Sequence, residues 1–290
     1  MIQPLSDREW EILLERIKAQ RCVPFLGAGA SYGALPLGAE IARELAEKYQ
    51  YPLEDRDDLI RVAQYIAVEY GDSLYPKELI LKRFAGAKPP DFSQPDEPHG
   101  VLAELPLSVY MTTNYDDFMF QALKNRYKDP RREFCRWNDA LKNRPSAFDA
   151  RPRYQPSPAN PLVYQLHGHT DPHSLVLTED DYLLFLDAMR DPKLLPAAVR
   201  TALSESSLLF IGYRLADWNI RVLLQGLRRG LLRNLSVMVL VPPRNEDPER
   251  QRKVQDYLDR YYAMQDLRVY WGTVRTFCAE LRRRWEASTQ

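Results

Sequence analysis

Four times along the chain a short, mostly apolar run breaks into glycines or small polar residues, and helical spacing follows. Cys22 to Leu26 runs into Gly27-Ala28-Gly29-Ala30-Ser31, and Leu107 to Met111 into Thr112-Thr113-Asn114-Tyr115-Asp116. Leu162 to Leu166 runs into His167-Gly168-His169, and Ser207 to Ile211 into Gly212-Tyr213-Arg214. Strands without apolar/polar alternation are covered on both faces, which is the signature of a parallel sheet between helical layers. The pattern predicts an α/β, Rossmann-like parallel sheet with helices on both faces. Two more strands are expected at 235–241 and 267–270.

The segments between the strands fill in this plan. Ser6-Asp7-Arg8-Glu9 is a capping box, and Trp10, Leu13, Leu14 and Ile17 continue at helical spacing. Further helices are expected near 39–50, within 56–86, and at 117–127, 179–190, 193–204, 217–229, 247–263 and 273–286. Residues 52–106 read as a helical insert, and the polar, proline-rich stretch 128–161 as a loop insert over the surface. The whole is expected to be a single domain over 1–290, with the helices of 247–286 covering the sheet or meeting a partner.

Composition removes several classes of function. Forty Lys and Arg balance forty Asp and Glu, which argues against sequence-specific nucleic-acid binding. The clusters Arg131-Arg132, Arg228-Arg229 and Arg282-Arg283-Arg284 then read as solvated faces. Cys22, Cys135 and Cys278 are far apart, with no C-x-x-C, so neither a zinc ribbon nor a disulfide framework is expected. Reduced thiols fit a cytoplasmic protein. No apolar run approaches the ~18–20 residues of a membrane span, and Met1-Ile2-Gln3-Pro4 does not begin a secretory leader.

In open α/β sheets ligands bind beyond the carboxyl ends of the strands, so the four polar clusters should meet over one crevice. Gly27–Ser31 can bring backbone N–H groups to a diphosphate, although G-x-G-x-x-G is not completed and no acidic ribose reader follows. Asn114 can hold a ribose hydroxyl or a water. Asp116 can accept from a carboxamide NH₂, or cap the next helix. His167 ends an apolar strand before a glycine and is a natural general base. His169 and His173 complete H-x-H-x₃-H, but with no Cys nearby and Asp171 the only local carboxylate, no metal is expected. Gly212 permits close backbone approach, and Arg214 can pair with phosphate. Thr178-Glu179-Asp180-Asp181-Tyr182 reads as a helix start.

The ordered set of GAGAS (27–31), TTNYD (112–116), LHG (166–168), TEDDY (178–182) and the Gly212 segment resembles the sirtuin-like superfamily. It is most similar to the bacterial sirtuin-like NADases of anti-phage defence, over about residues 20–245. The resemblance implies NAD bound by Gly27, Ala28, Gly29, Ser31, Thr113, Asp116, Gly212, Tyr213 and Arg214, with Asn114 and His167 as the catalytic pair. The four-cysteine zinc module and the substrate loop of true sirtuins are missing, which argues against a protein deacylase. The implied activity is NAD⁺ hydrolysis to nicotinamide and ADP-ribose, by the toxic effector of an abortive-infection system.

An unregulated NADase would poison its host, so control through assembly is expected. That means a homo-oligomer, with an operon partner such as a translocase-type ATPase, a nucleotide-binding sensor or a short Argonaute-type protein. The alternative is a sensor or assembly subunit that binds NAD or ADP-ribose without turnover.

Overall fold

A computed structural model describes residues 5–150, 153–191, 193–214, 235–242 and 247–289. Seven strands form one sheet: β1 (Cys22–Leu26), β2 (Val109–Thr112), β3 (Arg131–Phe134), β4 (Leu162–Gln165), β5 (Ser207–Ile211), β6 (Ser236–Leu240) and β7 (Leu267–Trp271). Their order is β3-β4-β2-β1-β5-β6-β7, and every pairing is parallel. The helices are α1 (Asp7–Lys18), α2 (Gly38–Lys48), α3 (Leu59–Tyr70), α4 (Tyr75–Phe84), α5 (Pro98–Glu104) and α6 (Phe118–Asn125). They continue as α7 (Ala147–Ala150), α8 (Glu179–Ala188), α9 (Ala197–Glu205), α10 (Pro248–Ala263) and α11 (Val274–Thr289).

Successive strand residues feed opposite cores. Phe25, Met111, Tyr164, Phe210 and Met238 face one layer, which is closed by Phe185 of α8, Val199 and Leu203 of α9, and Leu258 and Tyr262 of α10. Leu26, Tyr110, Val163, Ile211 and Val239 face the other, closed by Trp10 and Ile17 of α1, Leu102 of α5, Phe118 of α6, and Phe277 and Leu281 of α11. Helices on both faces are what the unalternated strands require. The buried residues of α10 and α11 make those two helices covers of the sheet.

Pro24 occupies a central strand without disrupting it. The Leu26 carbonyl accepts from Thr113 N–H on the β2 side, so Pro24, two residues earlier, turns its nitrogen towards β2 as well. The β1–β2 ladder begins only at Phe25↔Met111, whereas β1 pairs with β5 along its whole length. The missing N–H therefore falls where no ladder bond is made.

The structure corrects the sequence reading in two places. Residues 128–161 are not only a surface loop: Arg131–Phe134 form the edge strand β3, and Cys135, Trp137 and Leu141 are buried in the core. A polar edge strand carries no apolar signal and resists pairing with other chains. The proline-rich end of the helical insert contains α5, which Pro98 starts from the first turn, where a missing N–H costs nothing. Within 56–86, where helices are expected, two form, because Gly71 (φ 62°) ends α3 in the left-handed conformation. The helix expected at 217–229, with Asp217 and Arg228-Arg229, lies outside the described residues.

Candidate functional site

From β1 the chain passes to the neighbouring β2, on to the edge strand β3, back to β4 between them, and then to β5 on the other side of β1. The strand order therefore reverses between β1 and β5, and such a switch point opens a crevice at the strand ends. Register places the ends level: Leu26 pairs with Thr112 and Ile211, and Thr112 pairs with Gln165. Asn114 and His167 thus leave adjacent strands at the same height. Adjacent strands are about 4.8 Å apart, which puts β4 roughly 10 Å from β1.

Hydrogen bonds join the loops. Asn114 Nδ2 donates to Gly27 O (3.1 Å) and Ser31 Oγ (3.3 Å). Ser31 Oγ donates to Asp116 Oδ2 (2.7 Å). Gly27 O can only accept, so the amide nitrogen must face it, and Asn114 Oδ1 is left as the acceptor. Asn114 is buried, and its backbone N–H donates to Thr112 Oγ1 (2.9 Å). Leu26 O gathers Thr113 N–H (3.0 Å), Thr112 Oγ1 (3.1 Å) and Tyr213 Oη (3.2 Å), and Thr113 Oγ1 lies 3.2 Å from Tyr213 Oη.

The glycine turn has a different physical reason from the one expected. Its amides are largely spent inside the protein: Gly27 N–H donates to Ile211 O (2.8 Å), Gly29 N–H to Gly212 O (2.9 Å) and Ala30 N–H to Gly27 O (2.9 Å). A Cβ on Gly27 would come within 2.8 Å of the Tyr213 ring, and one on Gly29 within 2.9 Å of Gly212 Cα. Gly212 has φ +82°, and its Cβ would lie 2.3 Å from Ala30 N. These glycines let two strand-end turns touch each other, and Ala28 is the exposed residue of the turn. Both oxygens of Asp116 are also engaged, since Oδ1 accepts from Phe118 N–H (3.0 Å) while Oδ2 takes Ser31. Asp116 thus takes the first amide of α6 from one residue before the N-cap Asp117, and any grip on a carboxamide would use its remaining lone pairs. Arg214 is exposed.

His167 is buried, and its ring meets Tyr182 (5.4 Å between centroids) and Phe185 (5.2 Å) of α8 nearly edge-on. No described residue hydrogen-bonds the ring. Burial pushes its pKa down to about 3, so the imidazole is neutral near pH 7. Gly168 is required beside it, because φ is +87° and a Cβ would lie 2.2 Å from Ser174 O.

Three features escaped the sequence reading. His169 is buried, with Nε2 3.5 Å from Asp117 Oδ1, so it ties the β4 loop to the β2 loop. Burial raises the Asp117 pKa, but the His169 hydrogen bond and the Arg132 charge outweigh it and hold the carboxyl below its usual range. Asp181 caps α8 and forms a buried ion pair with Lys77 Nζ (2.6 Å) of the helical insert. Tyr115 Oη donates to Val176 O (2.7 Å). The acidic run at 179–181 carried the only sequence hint: Glu179 meets Arg61 (3.5 Å) and Asp180 meets Gln64 (2.9 Å), so all three acids face the insert. Among the described residues no group of three or more His, Cys, Asp or Glu is gathered as metal ligands.

A family model described as SIR2-like domain matches residues 108–265, more than half of the chain. The chain belongs to the SIR2-like family. The matched region holds the Asn114 loop, the His167 loop and Gly212 together. Curated proteins similar to this SIR2-like chain include the NAD(+) hydrolase ThsA of Cytobacillus dafuensis, 26% identical over 227 residues, covering 77% of this chain and 42% of that protein. The NAD(+) hydrolase ThsA of Enterococcus faecium is 28% identical over 225 residues (76% and 42%). That of Acinetobacter baumannii (strain 532279) is 28% identical over 234 residues (77% and 43%). The chain thus spans less than half the length of these relatives. A solved Sir2 enzyme chain aligns over 97% of this SIR2-like chain and 98% of its own, at a TM-score of 0.36 and 13% identity, too loosely to carry any residue across.

Proposed function

We propose that this SIR2-like chain hydrolyses NAD⁺ to nicotinamide and ADP-ribose. The observation that carries the reading is Asn114: its nitrogen is pinned by Gly27 O and Ser31 Oγ, so its oxygen is presented as an acceptor next to the strand that ends in His167. An acceptor in that place suits a water or a ribose hydroxyl. The name NAD(+) hydrolase borne by its relatives supports the same reading.

The reaction breaks the bond between the ribose anomeric carbon and the nicotinamide nitrogen. The electron pair leaves with nicotinamide, which becomes neutral, so no acid is needed. Water oxygen bonds to the anomeric carbon, and its proton passes to His167 and then to solvent. Burial keeps His167 unprotonated and able to accept, although a base so far below neutrality gives less than the roughly 10²–10⁴-fold of one matched to the working pH. Ala28, Ser31, Thr113, Asp116, Tyr213 and Arg214 line the route to the diphosphate and the carboxamide in this reading.

Its biological role is that of a toxic effector in cytoplasmic anti-phage defence, held inactive until it assembles with further copies or an operon partner. A rate that rises steeply with assembly supports this, and full activity as a dilute monomer refutes it. One observation favours the alternative, a binder without turnover: an imidazole with a pKa of about 3 is a weak base. Incubation with NAD⁺ separates the two. Nicotinamide release that Asn114→Ala or His167→Ala removes supports the enzyme, and thermal stabilisation with NAD⁺ left intact supports the binder.

A further inference from the structure

Tyr115 sits between Asn114 and Asp116, yet its side chain joins a separate apolar cluster. Its partners there are Ile41 of α2, Ala63 of α3, Ile80 of α4, and Leu175 and Leu177. Its hydroxyl donates to Val176 O at 2.7 Å, and the N–H of the same Val176 donates to His167 O at 3.1 Å. One peptide residue therefore receives the Asn114 loop on one side and grips the His167 loop on the other. Val176 is fully buried, and among the described residues no other donor reaches its carbonyl. Burial raises the Tyr115 pKa, so the phenol stays protonated and acts as donor.

The far side of the segment is anchored. Leu177 and Thr178 donate their N–H groups to Asp181 Oδ2 (3.1 and 2.9 Å), and Asp181 Oδ1 is paired with Lys77. The strand ladder cannot do this work, because the last β2–β4 backbone bond is Leu166 N–H to Thr112 O (2.8 Å), below the level of Asn114 and His167.

We infer that Tyr115 is a positioning residue that fixes Asn114 relative to His167 through Val176. The inference rests on the assignment of those two residues to NAD⁺ cleavage. Tyr115 touches no reacting atom, so it acts on the alignment of the pair and not on the affinity for NAD⁺.

The test compares the parent with Tyr115→Phe in steady-state NAD⁺ hydrolysis and in amide hydrogen exchange. The expected result is a kcat lowered about 10- to 100-fold with KM within about twofold, the size of a loss from misplaced groups. The Val176 amide should exchange faster in the variant while the Leu166 amide stays protected. Tyr115→4-aminophenylalanine restores a donor and should bring kcat back to within about threefold of the parent, since only the donated bond is at stake.

An unchanged kcat in the Phe variant, or a loss confined to KM, overturns the inference. So does an aminophenylalanine variant that folds but stays as slow as the Phe variant. If the Phe variant does not fold, the aminophenylalanine variant decides alone: parent-like kcat supports and a slow rate overturns. If the parent leaves NAD⁺ intact, the proposed function fails separately, and exchange alone judges the strut: unchanged Val176 protection in Tyr115→Phe overturns it.

Discussion

Lowering the pH should destabilise this protein through His167 in particular. The ring is buried against Tyr182 and Phe185, with its pKa pushed from 6.5 to about 3 by burial. The folded state therefore refuses a proton that the unfolded chain accepts. The stability held by the neutral ring is complete above pH 6.5 and is lost as pH falls from there towards 3. Each pH unit in that window costs about 1.4 kcal/mol, so roughly 2 kcal/mol should be gone at pH 5 relative to pH 7. Urea unfolding of the parent and of His167→Asn at both pH values isolates this contribution. The parent should lose about 2 kcal/mol more than the variant over that interval. The same burial sets the catalytic pH profile, whose acid limb from His167 should lie well below 6.5. Equal pH slopes in parent and variant, or an imidazole NMR titration centred near 6.5, would refute the reasoning.

Other consequences follow from single contacts. Lys77→Met leaves Asp181 buried without its cation and should cost about 3–5 kcal/mol in urea unfolding; a loss below ~1 kcal/mol would mean that the pair is hydrated. Gly212→Ala and Gly33→Ala share a left-handed backbone, at φ +82° and +96°, but only the first meets protein atoms, at 2.3 Å. Gly33→Ala should therefore cost only about 1–2 kcal/mol, while Gly212→Ala should fail to give soluble folded protein; equal effects would contradict the close approach of the two turns. Asn114→Asp cannot donate to Gly27 O and should lose NAD⁺ hydrolysis as fully as Asn114→Ala, so retained turnover would show that the amide orientation is not what matters.

Much of the fold was legible because burial on both faces leaves an unbroken apolar strand. Cys22 to Leu26 and Ser207 to Ile211 were found with their observed boundaries, despite Pro24. The edge strand Arg131–Phe134 was illegible, since an edge strand has one unpaired side and only Glu133 is buried. That the ends of β1, β2 and β5 meet was readable from where polar residues follow apolar runs. What each residue does there was less readable. Gly27 and Gly29 announced close approach, but a sequence does not distinguish approach by a ligand from approach by Gly212. The Tyr115–Val176 and Lys77–Asp181 contacts join residues far apart in the chain, and no local pattern encodes either pairing.

In the proposed reaction Asn114 and His167 act together on NAD⁺. Nicotinamide release from NAD⁺ in ¹⁸O-water, followed across a series of protein concentrations, reports on that step. The expected result is labelled ADP-ribose and nicotinamide in equal amounts, a rate rising more steeply than linearly with protein, and no release from Asn114→Ala. NAD⁺ that stays intact at every concentration, or release that the alanine variant matches, would contradict it.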